Sequence, residues 1–158
     1  MLSIQISDIK DFMSHLLSKD TFDHFYFIEA SIKMGVSYQI QGRINEGFYD
    51  TSVEQTLNRE FCYWKEIRHR IFDIIKGKPL SLSCKIVLGL SKQSISYLIA
   101  HNNSSFREED IEGIYINILY DPKNLLITTG ISYKNFSLDK SLEYAFDEYL
   151  VKFLKEKA

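Results

Sequence analysis

A chain of 158 residues with 45% hydrophobic and 25% charged side chains, two prolines and seven glycines can bury roughly 70% of the surface its unfolded form exposes, which excludes a disordered or fibrous protein. A formal net charge of −2 argues against the strongly basic class of nucleic-acid-binding domains. No apolar run approaches the ~18 residues of a membrane span, and the opening MLSIQISDIKDFMSHLL has acids where a secretory leader starts basic, so a membrane is not an expected partner and the cytoplasm is the expected location.

In chain order, LSIQI reads as a short strand, and Ser7 reads as the N-cap of a first helix with apolar residues at Ile9, Phe12, Met13, Leu16 and Leu17. From Phe25 the period changes to two: Tyr26, Ile28, Ala30 and Ile32 alternate with Phe27, Glu29, Ser31 and Lys33. After a turn at Gly35, Tyr38, Ile40, Gly42 and Ile44 alternate with Gln39, Gln41 and Arg43, which predicts an antiparallel hairpin. NEGFYDTSVEQ reads as an irregular connection with a helical turn. REFCYWKEIRHRIFDIIK then carries helical periodicity through Phe61, Trp64, Ile67, Ile71 and Ile75 up to Gly77. Leu80 to Leu90 alternates as a half-buried strand, and Ser91 caps a third helix bearing Ile95, Leu98 and Ile99.

A capping box from Ser105 to Glu108 precedes a second hairpin, IEGIYINILYD and NLLITTGISY, joined through Asp121-Pro122-Lys123-Asn124. Asp139 caps the last helix, whose stripe is Leu142, Ala145, Phe146, Tyr149, Leu150, Phe153 and Leu154. The predicted class is α+β: an antiparallel sheet with helices packed mainly on one face, in a single domain over 1–158. Residues 2–76 and 80–157 repeat the order strand, helix, strand, strand, helix, the pattern of a duplicated β-α-β-β-α unit. The opposite sheet face is expected to hold Gln39, Gln41, Arg43, Ser81, Ser83, Lys85, Tyr115 and Asn117.

Catalytic signatures do not emerge from the pattern. The glycines form no phosphate loop, G-x-S-x-G is absent, and His15, His24, His69 and His101 share no ligand spacing with each other or with a cysteine. No metal or cofactor is therefore expected. Cys62 and Cys84 read as reduced core thiols, and the run Glu108, Glu109, Asp110, Glu112 reads as a solvated, helix-capping loop.

Charge is uneven. Residues 59–85 carry seven basic and three acidic side chains, with Lys65, Arg68, Arg70, Lys76 and Lys78 toward the end of the second helix. They either complement the helix dipole or form an anion-binding patch. Arg43, Asn45, Phe48 and Tyr49 leave the first hairpin together and are either hairpin-end packing or a binding element. Trp64 reads as a core anchor. Phe22, Phe25, Tyr26 and Phe27 suit a core or an interface equally.

The segments SDIKDFMSHLL, DTFDHFYFIEASI, GRINEGFY, W-x3-R followed by FDIIKGKPLS, TTG and FSLDKSLEYAFDE resemble a family of small uncharacterised bacterial proteins, a domain of unknown function of about the length of this chain. The resemblance implies a stand-alone bacterial cytoplasmic protein without assigned chemistry. It marks Glu29, Arg43, Asn45, Tyr49, Trp64, Arg68, Lys76 and Asp139. The expected function is a non-enzymatic binding or regulatory module for a protein or a small anionic ligand, through Arg43, Asn45, Tyr49, Arg68, Lys76 and Glu29. The alternatives are a clamp-like or saddle-like nucleic-acid domain, which the charge disfavours, and an enzyme whose residues converge only in three dimensions, with Glu29, Arg43 and Tyr49 as the trio.

Overall fold

The computed structural model describes residues 1–49 and 59–157, so most of the helical turn read into NEGFYDTSVEQ lies outside the described residues. Strands β1 (Ser3–Gln5), β2 (Tyr26–Lys33), β3 (Ser37–Gln41), β4 (Ser83–Gly89), β5 (Ile111–Tyr120) and β6 (Leu125–Tyr133) form one antiparallel sheet in the order β1-β6-β5-β4-β2-β3. Helices α1 (Ile9–Leu17), α2 (Trp64–Ile75), α3 (Lys92–His101) and α4 (Ser141–Lys157) and a 3-10 turn at Glu108–Asp110 accompany it.

Strand alternation sends Ile86, Leu88, Ile116, Ile118 and Ile127 to one face of the sheet. There they join Phe12 and Leu16 of α1, Trp64 and Ile71 of α2, Leu98 of α3, and Leu142, Phe146 and Leu150 of α4 in a single buried cluster. All four helices thus cover the same face, as the apolar stripes require. Trp64 is fully buried, with its indole N–H donating to the Leu16 carbonyl at 2.7 Å and its ring 5.7 Å from that of Phe27. Phe153 of α4 joins the same layer edge-on against Phe22 at 5.5 Å and Phe25 at 5.4 Å.

Several helix starts differ from the sequence reading. Asp8 rather than Ser7 caps α1, its carboxylate accepting from the Asp11 N–H at 3.1 Å, because a carboxylate there also complements the helix dipole. Ser91 caps α3 and Asp139 accepts from the Ser141 N–H at 2.9 Å, as expected. The Ser105–Glu108 box does not form. Ser105 donates to Asp139, Glu108 accepts from Ser96, and Asp110 reaches back to the Arg107 N–H at 2.8 Å.

The two halves repeat their element order, and both hairpins lie in one sheet, yet the pairing does not confirm a duplicated unit. In the second half β4 pairs with β5 of its own hairpin. In the first half β1 instead crosses the molecule to pair with β6, Ser3 opposite Thr128. The crossing is fastened by the Leu2 N–H, which donates to the Thr129 hydroxyl at 2.9 Å, itself donating to Asp147 of α4 at 2.8 Å.

The largest departure from simple alternation is in β2. A bulge falls between Phe27, opposite Leu88, and Glu29, opposite Val87. It flips the strand's phase, so that Phe27 joins Ala30 and Ile32 in the core while Tyr26 and Ile28 pass to the other face. Beyond the bulge β3 no longer runs beside β2, and the segment 60–64 wedges between them. The Phe27 N–H donates to the Cys62 carbonyl at 2.8 Å, the Cys62 N–H to Gly42 at 2.9 Å, and the Ile44 N–H to Glu60 at 2.9 Å. The stretch 59–63, read as helical, is therefore extended, and α2 starts at Trp64.

Gly42 sits at the fork. Its N–H donates to Ile28 at 2.8 Å, and a Cβ there would meet the Phe27 carbonyl oxygen at 1.9 Å and its carbon at 2.7 Å. Backbone cannot yield as a flexible side chain can, so Gly42→Ala is expected to cost about 3 kcal/mol or more. Gly35→Ala, where a Cβ meets nothing within 4 Å, is expected to change stability by less than about 1 kcal/mol. Urea midpoints of the two variants test the contrast, and equal losses would remove the steric argument.

Candidate functional site

Because the four described helices lie on one side, the opposite sheet face has no helix over it among the described residues. Its composition follows from register. One row across the sheet is Gln41, Glu29, Val87, Asn117, Thr128 and Ser3, and the next is Gln39, Ser31, Lys85, Leu119, Leu126 and Gln5. The face carries neutral amides and hydroxyls, with Val87, Leu119 and Leu126 among them and Glu29 and Lys85 as its charges in these rows, and Gln39 donates to Ser31 at 3.1 Å. Gln39, Gln41, Ser83, Lys85, Tyr115 and Asn117 stand where the alternation placed them. Ser81 does not: it is buried to 1% exposure, because it precedes the first ladder pair, Lys33 with Ser83, and strand alternation does not govern it. For the same reason Leu80 and Leu82 are exposed outside the strand.

A third row is different in kind. Tyr63, Tyr26, Gly89, Tyr115 and Gly130 lie side by side across five segments. The Tyr26 and Tyr63 rings are 5.2 Å apart, with Phe61 adding a third ring 6.2 Å from Tyr26. Tyr115 has glycine on both neighbouring strands and folds back over a third, since a Cβ on Gly113 would meet its hydroxyl at 2.2 Å. Gly113 leaves the space that the ring occupies, and Tyr115 is half-buried. Burial pushes the Tyr26 and Tyr115 hydroxyls up from their ordinary values, at Tyr115 with added repulsion from Glu112 and Glu60 and relief from Arg43. Both are neutral hydrogen-bonding groups at physiological pH.

Two arginines frame the row. Arg43 lies over the Phe61 ring at 5.1 Å and pairs with Glu60; Arg59 lies over Tyr63 at 4.7 Å. Arg59 grips Glu66 through two bonds of 2.6 and 2.9 Å, and Glu66 in turn accepts the Tyr63 N–H at 2.6 Å. This clamp holds the wedge segment against the first turn of α2.

The sequence-selected residues divide. Arg43 and Glu29 reach the uncovered face. Asn45 is exposed in the turn that follows, its carbonyl accepting from Phe48 at 3.5 Å, and Tyr49 packs edge-on against Phe48 at 5.0 Å. Arg68 points to the helix side, where Asp23 accepts its guanidinium at 2.7 and 3.3 Å. Lys76 caps α2 and pairs with Asp73 at 2.9 Å. Arg68 thus fastens α2 to the segment before β2. Sequence reading passed over Arg59, Phe61 and Tyr63, whose signal is the alternation of Arg59, Phe61 and Tyr63 with Glu60 and Cys62, hidden inside a helical period.

Cys62 and Cys84 are free thiols pushed by burial up to about 11 and about 12, so neither supplies a thiolate nucleophile. Both are expected to react with a thiol reagent at neutral pH only once denaturant unfolds the chain; rapid labelling of the native protein would contradict this. Among the described residues no three His, Cys, Asp or Glu side chains gather as metal ligands, and no helix is long and apolar enough to cross a membrane.

The fold and this face define an α+β protein with one helix-covered and one open sheet surface. The chain belongs to a family of unknown function (DUF5721), whose model matches residues 15–158. No curated protein and no solved structure matches it.

The Arg59 clamp makes a pH prediction. The hydrogen bonds from Arg59 hold the Glu66 carboxyl below its ordinary value. A lowered folded-state value adds stability that is present above the unfolded-state value and lost as pH falls through the folded one. Glu66→Gln is expected to flatten the loss of stability between about pH 5 and pH 3; parallel acid limbs in urea titrations would refute the linkage.

Proposed function

We propose that the chain is a non-enzymatic binding module whose uncovered sheet face docks a protein partner. The observation that carries the reading is the row of half-buried Tyr63 and Tyr115 on either side of the buried Tyr26 ring, with exposed Arg43 beside it and the largely buried Arg59 against Tyr63. Tyrosine and arginine are the residues that dominate protein interfaces, because they combine large, rigid contact area with hydrogen bonding at the edge. Around that row the charges are largely paired, Arg43 with Glu60 and Arg59 with Glu66, and the adjoining rows hold amides and hydroxyls suited to backbone amides and neutral side chains of another protein.

Charge selects a protein over nucleic acid. Sheet faces with exposed aromatics also stack bases, which keeps the nucleic-acid reading as the second one. Here, however, Arg43 and Arg59 are each neutralised by a glutamate, Glu60 and Glu66, and Glu29 and Glu112 add negative charge nearby. Phosphates would find few free cations on this face. The two free thiols suit a reducing compartment, and we place the module in a bacterial cytoplasm.

A photo-crosslinking amino acid at Lys85 or Asn117, compared in cells with the same group at exposed Tyr144 on α4, tests the proposal. The expected result is a discrete protein adduct from the sheet positions alone, lost on Tyr63→Ala or Arg43→Ala and retained on Arg68→Gln. Identical adducts from both sides of the molecule would overturn it. Steeply salt-dependent binding of single-stranded oligonucleotides would replace it with the second reading.

A further inference from the structure

Strand β3 ends the sheet, and among the described residues nothing pairs with its outer edge. Natural edge strands are shielded by charge, proline, bulges or shortness. The other edge, β1, is three residues long. By contrast β3 is Ser37-Tyr38-Gln39-Ile40-Gln41, five exposed or half-exposed residues without a charge, proline or bulge. Backbone direction is fixed by the next residue on. The Gly42 N–H faces β2, where it meets the Ile28 carbonyl, so antiparallel alternation points the N–H and C=O of Gln41, Gln39 and Ser37 outward.

We propose that this edge is an interface for a second copy of the chain, joined antiparallel about a two-fold axis at Gln39. The sequence is self-complementary in that register. Gln39 meets Gln39 of the second copy, Ser37 meets Gln41, and Tyr38 meets Ile40. The three outward-facing residues of each strand form hydrogen-bonded pairs, giving six backbone bonds. The intervening Tyr38 and Ile40 form the close non-hydrogen-bonded pairs in which an aromatic and a β-branched side chain stabilise one another. Val36, 66% exposed beside the strand, falls opposite Gly42 of the second copy, where there is no side chain to clash with it.

Charge agrees with the register. Lys33 lies beyond Ser37 and Glu29 beyond Gln41 on β2, so the two rows in which Ser37 meets Gln41 have a lysine at one side and a glutamate of the other copy at the other. A parallel arrangement would set like charges in the same rows. The two-fold axis stands perpendicular to the sheet, so both copies show their uncovered faces on one side and their helices on the other. The inference rests on the strand edge and not on the face's partner.

Sedimentation equilibrium of the full chain tests it. The wild type is expected to approach twice 18.5 kDa as concentration rises. Gln39→Pro removes an outward N–H that makes no bond within one copy and is expected to leave a monomer. Should that variant fold poorly, Gln39→Lys places two like charges at the axis and is expected to weaken dimerisation severalfold, with equimolar Gln39→Lys and Gln39→Glu restoring it. A wild type at 18.5 kDa at every concentration would overturn the proposal, as would a dimer that is indifferent to the lysine and glutamate variants.

Discussion

The fork at Gly42 is the constraint on which the uncovered face depends. There the backbone of β3 presses against Phe27 closely enough to leave no room for a Cβ, and its hydrogen bonds divide between Ile28 of β2 and Cys62 of the wedge. The β2 bulge and this fork act together. The bulge turns Tyr26 out of the core, and the wedge brings Phe61 and Tyr63 alongside it. Without the fork, the segment would have no carbonyl of Gly42 to dock on, and the aromatic row would lose its first members.

Both arginines that frame the row act on the same few residues. Arg43 leaves the fork and lies on Phe61, while Arg59 ties the wedge to the start of α2 by holding Glu66. The rings are therefore backed by covalently short, hydrogen-bonded stretches of chain rather than by a long loop. That arrangement limits the conformational freedom a partner would have to freeze on docking.

Much of the architecture was legible in the chain because periodicity reports which face is buried. The stripe of α4 and the alternation of Ile86, Leu88, Ile116 and Ile118 sufficed to predict a one-sided helix layer over an antiparallel sheet. What the pattern could not carry was phase change. A bulge adds one residue without altering composition, so Tyr26 was grouped with Ala30 and Ile32 although it faces the other way. A five-residue extended segment abutting a twelve-residue helix was likewise absorbed into the helix's period, since Phe61 fits a helical spacing from Trp64 as well as a strand spacing from Tyr63. The site residues suffered most, because they cluster where the pattern breaks. Arg43 was found through its position at the strand end. Arg68, prominent in the linear charge count, proved to be committed to Asp23, a partner 45 residues away.

The crossing of β1 to β6 has a consequence for how the chain is made. Ser3 finds its partner at Thr128, so during synthesis the first strand leaves the ribosome long before its neighbour exists. The hairpins β2–β3 and β5–β6 close locally and early, whereas the outermost strand waits for nearly the whole polypeptide. Pairing β1 with β6 therefore closes the widest separation along the chain of any strand pair in the sheet, the kind of contact that costs the most loop entropy to form.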